Sequence, residues 1–474
     1  MEARPLNGLS RTRPLPASAT REFKLIVLLT LLHIPLGISL YNVGPLAILH
    51  PLAAFLVGLK WAIRKDVRLA QVALAAGYII GAEVLWRMAG VPVFWEFGKY
   101  GSAIIMVVAL IRRSSIRIPH LPLVYFVALL PSCILTLIQL GASGGKEMVS
   151  TNLSGPFLLV VSALFFSNTS LSLVELRRLC IAIVIPLVSV GCVSLFYTVS
   201  TENIVFNGES NFVTSGGFGP NQVSGMLGLG AFIAVLCLII LRNKFGYKFY
   251  FALAALLCTI QGVMTFSRGG IYNAVGAILA VTLWELRKPS RSLARLAPLL
   301  IAALLFVAFV FPVLNNFTGG ALEDRYNDVG TAKREDLAEA DVQIFYENPV
   351  MGVGVGMAYD YREQFLGYKG MSHTEFSRLL SEHGTFGILA IISLIAMAVL
   401  NIRKQRSPVG QAFIIGAAAW CVLFMLNSGM RLAAPSFIWG LTFATVVSAT
   451  HTRRTRRTVA HPLRTSVTDR PMEA

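Results

Sequence analysis

The sequence predicts an all-α polytopic membrane protein with about 14 transmembrane helices and one long, partly helical loop. Of its 474 residues, 55% are hydrophobic and only 14% are charged, whereas soluble globular domains carry about 25% charged residues. Apolar runs long enough to cross a bilayer as helices recur from Leu25 almost to the C-terminus. One long polar segment, from about Asn315 to Gly384, interrupts them.

Apolar runs place the individual spans, with boundaries that hold to within a few residues. They lie near 25–41, 45–63, 69–88, 98–111, 121–141, 157–168, 180–200, 223–241, 249–266, 271–286, 298–314, 385–402, 411–428 and 435–450. The chain then divides into a basic N-terminal tail (1–24), helices 1–11 (25–314), the polar loop (315–384), helices 12–14 (385–450) and a basic C-terminal tail (451–474).

The connections between spans alternate between basic and poorly basic. Basic examples are Arg64-Lys65, Arg112-Arg113, Arg177-Arg178, Arg287-Lys288 and Arg403-Lys404, together with both tails. Because basic connections face the cytoplasm, both termini are predicted to be cytoplasmic and the 315–384 loop periplasmic. The same rule explains the net charge of +17 better than nucleic-acid binding does, and no nucleic-acid partner is expected.

Arg268 stands in an unusual place, where Thr265–Gly270 ends one apolar run and opens the next. A charge at a membrane boundary is costly unless an anion or water meets it, so Arg268 is a functional-site hypothesis. The predicted outer side contains few other arginines, and most lie near a membrane boundary or in the long loop. These are Arg87, Arg325, Arg334, Arg362, Arg378 and Arg431. The pattern is expected of a site for an anionic, lipid-borne substrate.

The long loop contains two predicted helices. The first covers 331–346 and ends at Asn348-Pro349, followed by a glycine-rich turn at 352–356 that predicts close backbone packing. The second begins at Ser372-His373-Thr374-Glu375, which has the pattern of a capping box with Ser372 as N-cap and Glu375 at N3. His373 would then lie in the first turn, where the helix dipole favours a neutral imidazole, whereas His383 at the other end would favour the cation. On the residues alone, His373 is either a general base or an ordinary surface histidine.

Three stretches share a pattern with one known family. They are Gly217-Phe218-Gly219-Pro220-Asn221-Gln222, then Phe266-Ser267-Arg268-Gly269-Gly270, and then Arg334 with Glu347-Asn348-Pro349, His373-Thr374-Glu375-Phe376 and Glu382-His383-Gly384. In order and placement the chain resembles the O-antigen ligase and polysaccharide polymerase superfamily of bacteria, over roughly residues 210–400. The family's loop histidine is usually followed by Asn, whereas Thr374 follows His373 here.

The resemblance implies a glycosyltransferase of the bacterial inner membrane that uses no nucleotide sugar. No Asp-x-Asp motif or His/Glu cluster suggests a metal, a pyrophosphate leaving group held by arginines does not require one, and no cofactor is expected. The enzyme's donor would be a glycan on undecaprenyl pyrophosphate, and its acceptor a saccharide on lipid A–core or on another lipid-linked repeat. By this resemblance, Arg268 and His373 are the catalytic residues: Arg268 holds the pyrophosphate and His373 accepts the proton of the acceptor hydroxyl. The implied substrate-binding residues are Arg334, Arg325, Arg431 and Asn221.

Two questions stay open at this point. A flippase or transporter of lipid-linked oligosaccharide would also have many spans and a basic composition. Transporters place ionisable residues near mid-membrane, whereas the predicted spans are nearly free of charge apart from Glu83, which favours an interfacial enzyme. A ligase of lipopolysaccharide biosynthesis and a polymerase, as in exopolysaccharide synthesis, share donor and motifs, so the sequence does not separate them.

Overall fold

A computed structural model describes residues 17–241, 243–287, 289–328 and 332–447. The predicted C-terminal tail and residues 1–16 of the N-terminal tail lie outside them. The described chain is almost entirely helical. Its helices are α1 Ala17–Asn42, α2 Gly44–Ala62, α3 Leu69–Met88, α4 Phe97–Ile111, α5 His120–Ser167, α6 Leu173–Ser200, α7 Pro220–Ile240, α8 Phe245–Met264, α9 Arg268–Leu286, α10 Pro289–Leu305, α11 Phe311–Phe317, α12 Ala321–Asn327, α13 Ala332–Glu347, α14 Ala358–Tyr361, α15 Glu363–Leu366, α16 Glu375–His383, α17 Thr385–Lys404, α18 Pro408–Asn427 and α19 Ala433–Leu441.

The described residues contain eleven helical segments that are long and apolar enough to cross a membrane. The nearly all-α membrane fold is therefore confirmed, whereas the count of fourteen spans stays a prediction. Four of the predicted spans differ from the helices that the structure describes. The spans at 121–141 and 157–168 are merged in α5, although Gly141 has a non-helical φ of 71° that kinks it. The 98–111 span is the 15-residue α4. In the described part of the last predicted span, only residues 435–441, the end of α19, are helical.

A small parallel sheet, which the sequence analysis did not predict, marks one end of the bundle. Strand β1 (Ser170–Ser172) pairs with β2 (Thr445–Val447), in register from Ser170 opposite Thr445. Helix α6 follows β1 directly and runs for 28 residues, about 42 Å at the usual helical rise. Its far end therefore lies on the opposite side of the bundle. That opposite end, called the site face below, is where α3 ends, α7 and α9 begin, and the chain between α18 and α19 passes.

Helices α7 and α9 approach each other so closely that only glycine fits between them. A Cβ atom added to Gly270 would lie 1.9 Å from the Ser224 carbonyl oxygen, and one added to Gly228 would lie 2.1 Å from the Gly270 carbonyl oxygen. Small residues permit this backbone contact between apolar helices. The contact fixes the first turn of α9, and therefore Arg268, against the first turn of α7.

The loop between α11 and α17 folds as short helices on the site face. Helix α13 agrees with the predicted first loop helix, and it ends before Asn348-Pro349 as expected. The glycine-rich turn also packs as predicted. Gly352, Gly354 and Gly356 all have positive φ, and a Cβ on Gly352 would lie 2.3 Å from the Glu382 backbone. The turn therefore holds α16 by backbone contact.

Candidate functional site

Arg268 is the first residue of α9 and projects from a strained turn. Phe266, two residues before Arg268, is fully buried and has a φ of 58°. This conformation costs about 1–3 kcal/mol in a non-glycine residue. The Arg268 Nη1 atom donates hydrogen bonds to the carbonyl oxygens of Arg325, at 3.2 Å, and Asp328. Carbonyls carry no net charge, so these bonds orient the guanidinium without neutralising it.

The turn before Arg268 is tied to α7 by side-chain hydrogen bonds. The Ser267 hydroxyl donates to Asn221 Oδ1 at 2.7 Å, and the Ser224 hydroxyl donates to the Ser267 carbonyl oxygen at 2.5 Å. Two of the stretches that carry the family resemblance are thus in direct contact. Asn221 positions the turn of Arg268, and binding of substrate by Asn221 stays a prediction.

Arg325 lies beside Arg268 on α12. Its Nε donates to the Phe266 carbonyl oxygen at 3.0 Å and its Nη1 to the Gly208 carbonyl oxygen at 2.7 Å. The nearest carboxylate is that of Asp328, at 3.9 Å. Burial, followed by the charge of Arg268, lowers the pKa of Arg325, which shows that the two cations repel each other at this position.

Arg334, in the first turns of α13, adds a third guanidinium. The residues that the structure describes offer the Arg334 side chain no hydrogen bond or salt bridge. Burial and then the charges of Arg268 and Arg325 lower its pKa. Three close, under-neutralised guanidinium groups form a site that an anion of high charge would stabilise.

His373 lies near Arg334, whose charge acts on the imidazole. Burial, followed by the charges of Arg334, Arg431 and Arg362, lowers the pKa of His373 below its ordinary value. The imidazole is therefore neutral at physiological pH and can accept a proton. The sequence analysis expected a neutral His373 from the helix dipole, but the structure attributes it to burial and neighbouring cations.

The predicted capping box is wrong. Helix α16 begins two residues later than the capping box requires, and its N-cap is Thr374, whose hydroxyl accepts a hydrogen bond from the Ser377 N–H at 3.0 Å. Ser372 instead donates to the Asp341 carboxylate at 3.1 Å, a tertiary contact that a local pattern does not reveal. His373 consequently precedes α16 rather than lying in its first turn. Because Thr and Asn both serve as N-caps, Thr374 can make the cap that the family's Asn would make.

The prediction for His383, at the end of α16, is also wrong. It was expected to favour the cation, but it is fully buried with Nδ1 2.5 Å from the Ser132 hydroxyl oxygen. Burial, followed by the charge of Arg378, lowers the pKa of His383 to about 3. His383 is therefore a neutral residue that joins α16 to α5.

Arg431 approaches His373 from the chain between α18 and α19. This segment is held by Arg87, which donates to the Arg431 carbonyl oxygen at 3.4 Å and to Gln222 Oε1 at 3.0 Å, and which pairs with Glu83 at 2.8 Å. Arg431 is exposed, and its charge is one of those that lower the pKa of His373. We define the arginine–histidine cluster as Arg268, Arg325, Arg334, His373 and Arg431.

Two buried ion-pair groups, which the sequence analysis did not recognise, support this cluster. Arg378 pairs with Glu375 at 2.5 Å and with Glu382 at 2.8 Å, and Glu375 also accepts the Met430 N–H at 3.0 Å. Glu375 was expected to cap its helix, but it instead joins α16 to the segment of Arg431. The second group is Arg362 with Asp341, and it contacts Ser372, the residue before His373. Arg362 and Arg378 were recognised only as outer arginines.

A cleft of about 590 Å³ opens next to these elements and contains none of the predicted site residues. Thr201, Asn203, Phe206 and Phe317 are among its lining residues. Phe206 also stacks on Phe266, with ring centroids 5.4 Å apart, so the cleft adjoins the turn of Arg268.

As for metals, no group of three or more His, Cys, Asp or Glu side chains within the described ranges could hold an ion.

Comparison with known families bears on these residues. A family model described as O-antigen ligase matches residues 253–392. Residues 253–392 are therefore similar to the O-antigen ligase family. The match confirms the family resemblance and includes Arg268, Arg325, Arg334 and His373, whereas Asn221 and Arg431 lie outside it. No curated protein matches the chain. Together with the eleven candidate spans, the match indicates a membrane protein of O-antigen ligase or polymerase type in polysaccharide biosynthesis.

Proposed function

We propose that the protein is a metal-independent membrane glycosyltransferase that moves a glycan from undecaprenyl pyrophosphate to a saccharide hydroxyl. The observation that carries the proposal is the juxtaposition of three under-neutralised guanidinium groups with a neutral, half-buried histidine. The acceptor is a sugar of lipid A–core for a ligase, or of another lipid-linked repeat for a polymerase.

The reaction requires one displacement at the anomeric carbon of the donor. The acceptor oxygen forms a bond to that carbon as the bond from the carbon to the pyrophosphate oxygen breaks. His373 takes the hydroxyl proton, and undecaprenyl pyrophosphate leaves with the bonding electron pair. A base in this position contributes typically about 10²- to 10⁴-fold.

The three guanidiniums act on the leaving group. Negative charge on the pyrophosphate grows as its bond to the sugar breaks, so cations arranged beforehand bind the transition state more strongly than the ground state. Arg268 is held by carbonyls and Arg325 by carbonyls at two of its nitrogens, so little reorganisation is needed when the donor binds. Arg334 is the one of the three guanidiniums whose charge also acts on His373, so it is suited to contact the oxygen nearest the reacting carbon.

The proposal includes a topology. The site face is periplasmic, both termini are cytoplasmic, and fourteen membrane crossings result when α4, the two halves of α5 and the region of α19 are counted separately. The arginine-rich connections at the β1–β2 end support this orientation, for example Arg178 paired with Glu22 at 2.7 Å. The arginine–histidine cluster lies at the site face rather than at mid-membrane, which supports an interfacial enzyme rather than a transporter.

The direct test is reconstitution. Purified protein in proteoliposomes, given undecaprenyl-pyrophosphate glycan and acceptor, should form the transferred product and release undecaprenyl pyrophosphate. Arg334→Ala should remove activity while the protein remains in the membrane, with Lys146→Ala, on an exposed part of α5, as the matched control. Movement of the glycan across the bilayer without transfer would instead indicate a flippase. A deletion strain that retains single repeats but lacks long chains would indicate a polymerase.

A further inference from the structure

The Asp341 carboxylate is the most heavily bonded acidic group near the site. It is fully buried on α13 and receives four side-chain hydrogen bonds. Arg362 donates to Oδ1 from Nε at 2.9 Å and from Nη2 at 2.5 Å, while Ser377 donates to Oδ2 at 2.6 Å. The Ser372 hydroxyl lies 3.1 Å from Oδ2 and 2.8 Å from the Thr374 carbonyl oxygen, and its one proton is shared between these two acceptors. A buried ion pair contributes little net stability because desolvation offsets its attraction. The arrangement therefore calls for an explanation other than stability.

The two serines lie on either side of His373 in the chain. Ser372 directly precedes it, and the Ser372 oxygen also accepts the Thr374 N–H at 3.3 Å. Ser377 closes the other side, because its oxygen accepts a hydrogen bond from the Thr374 hydroxyl at 3.1 Å. Arg362 adds a third tie by donating to the Gly370 carbonyl oxygen at 2.8 Å. The backbone that carries His373 is thus held before and after the histidine through one carboxylate.

Asp341 also shares a helix with Arg334, one of the three arginines proposed to bind the pyrophosphate. It follows Arg334 by seven residues on α13, which is two helical turns, about 10 Å along the same face. The helix that presents Arg334 to the cluster therefore presents Asp341 to the segment of His373. Movement of one group relative to the other would require α13 to break or Asp341 to release its serines.

We propose that Asp341 is the positioning residue of this site: its carboxylate, through Ser372 and Ser377, sets the place of His373 relative to Arg334. The inference rests on the proposed function, in which His373 is the base and Arg334 holds the leaving group. Asp341 does not touch substrate in this account. It acts only through His373, because a shift of about 1 Å in a reacting group can cost about 10²-fold in rate.

The first test removes the hydrogen bonds from Ser372 and Ser377 to Asp341 and leaves the Arg362–Asp341 ion pair intact. The double variant Ser372→Ala/Ser377→Ala should lower kcat by about 10²-fold with little change in KM for the lipid-linked donor, which the arginines bind. Asp341→Asn should act in the same direction. Ser381→Ala is the matched control, because this buried serine of α16 donates to the Arg378 carbonyl oxygen of its own helix at 3.2 Å, and it should keep near-normal kcat.

The decisive measurement repeats these changes in the His373→Ala background, using the residual rate. If Asp341 acts only through His373, then adding Ser372→Ala/Ser377→Ala or Asp341→Asn to His373→Ala should cause no further loss. The same fold-loss in both backgrounds would show a general structural role and overturn the inference, as would wild-type kcat in the serine variant. Normal turnover by His373→Ala alone is a different result, because it would remove the proposed function itself.

Discussion

Substitution of Gly270 by alanine tests whether the α7–α9 contact positions Arg268. The added Cβ would lie 1.9 Å from the Ser224 carbonyl oxygen, whereas ordinary contact begins at 3.4 Å. The helices must therefore separate by about 1.5 Å, because backbone on both sides leaves no side chain to rotate away. Arg268 lies two residues before the contact and should move with it. A displacement of this size should lower the transfer rate by about 10²-fold.

The matched control lies on the same helix. A Cβ on Gly276 would meet Leu423 Cδ1 at 2.4 Å, but that atom is the far end of a flexible side chain that can change rotamer. Gly276→Ala should therefore retain most of the activity. Transfer by each variant would be measured in proteoliposomes at equal protein, with thermal unfolding as the measure of folding. Full activity of Gly270→Ala, or equal loss from both variants, would refute the reasoning.

Three further predictions concern charge, pH and topology. Arg268→Lys keeps the charge but loses the planar fork that binds pyrophosphate, so transfer should fall strongly at normal membrane levels, and wild-type turnover would reduce Arg268 to a point charge. Arg334→Gln removes the charge that, among the neighbouring charges, lowers the pKa of His373 most. Because a base works only when deprotonated, the acid limb of its residual kcat–pH profile should move to higher pH, and an unchanged limb would contradict the assignment of His373. A cysteine at exposed Glu347 should react with a membrane-impermeant thiol reagent in intact spheroplasts, whereas one at exposed Ser114 should not. The reverse labelling would overturn the topology.

The membrane class and several site positions could be predicted because they depend on local features. Apolar run length predicted the spanning helices, and the charge at a span boundary identified Arg268. The contact of Asp341 with Arg362 could not be predicted, because it joins residues 21 positions apart through a fold that composition does not define. A second contact of Asp341, with Ser372, explains the wrong capping box. Ser372 fits the local motif, but the buried carboxylate takes its hydroxyl, so Thr374 caps α16 instead.

The merged and shortened spans have local physical reasons as well. Hydropathy separates 121–141 from 157–168 because polar and glycine residues lie between them, yet α5 continues through that region with only Gly141 departing from helical φ. Near the C-terminus an apolar run suggested a full span, but β-branched Thr445, Val446 and Val447 pair as a strand with β1. Apolar length alone does not distinguish these outcomes.

The role of His373 is tested most directly by replacing it and its neighbour in parallel. His373→Ala should lower transfer by about 10²- to 10⁴-fold while donor binding, which depends on the arginines, persists. Thr374→Asn retains an N-cap for α16 and should transfer at near-normal rates. Both would be assayed with purified lipid-linked glycan and acceptor. Near-normal turnover by His373→Ala, or equal damage from the two substitutions, would contradict the assignment of His373 as the base.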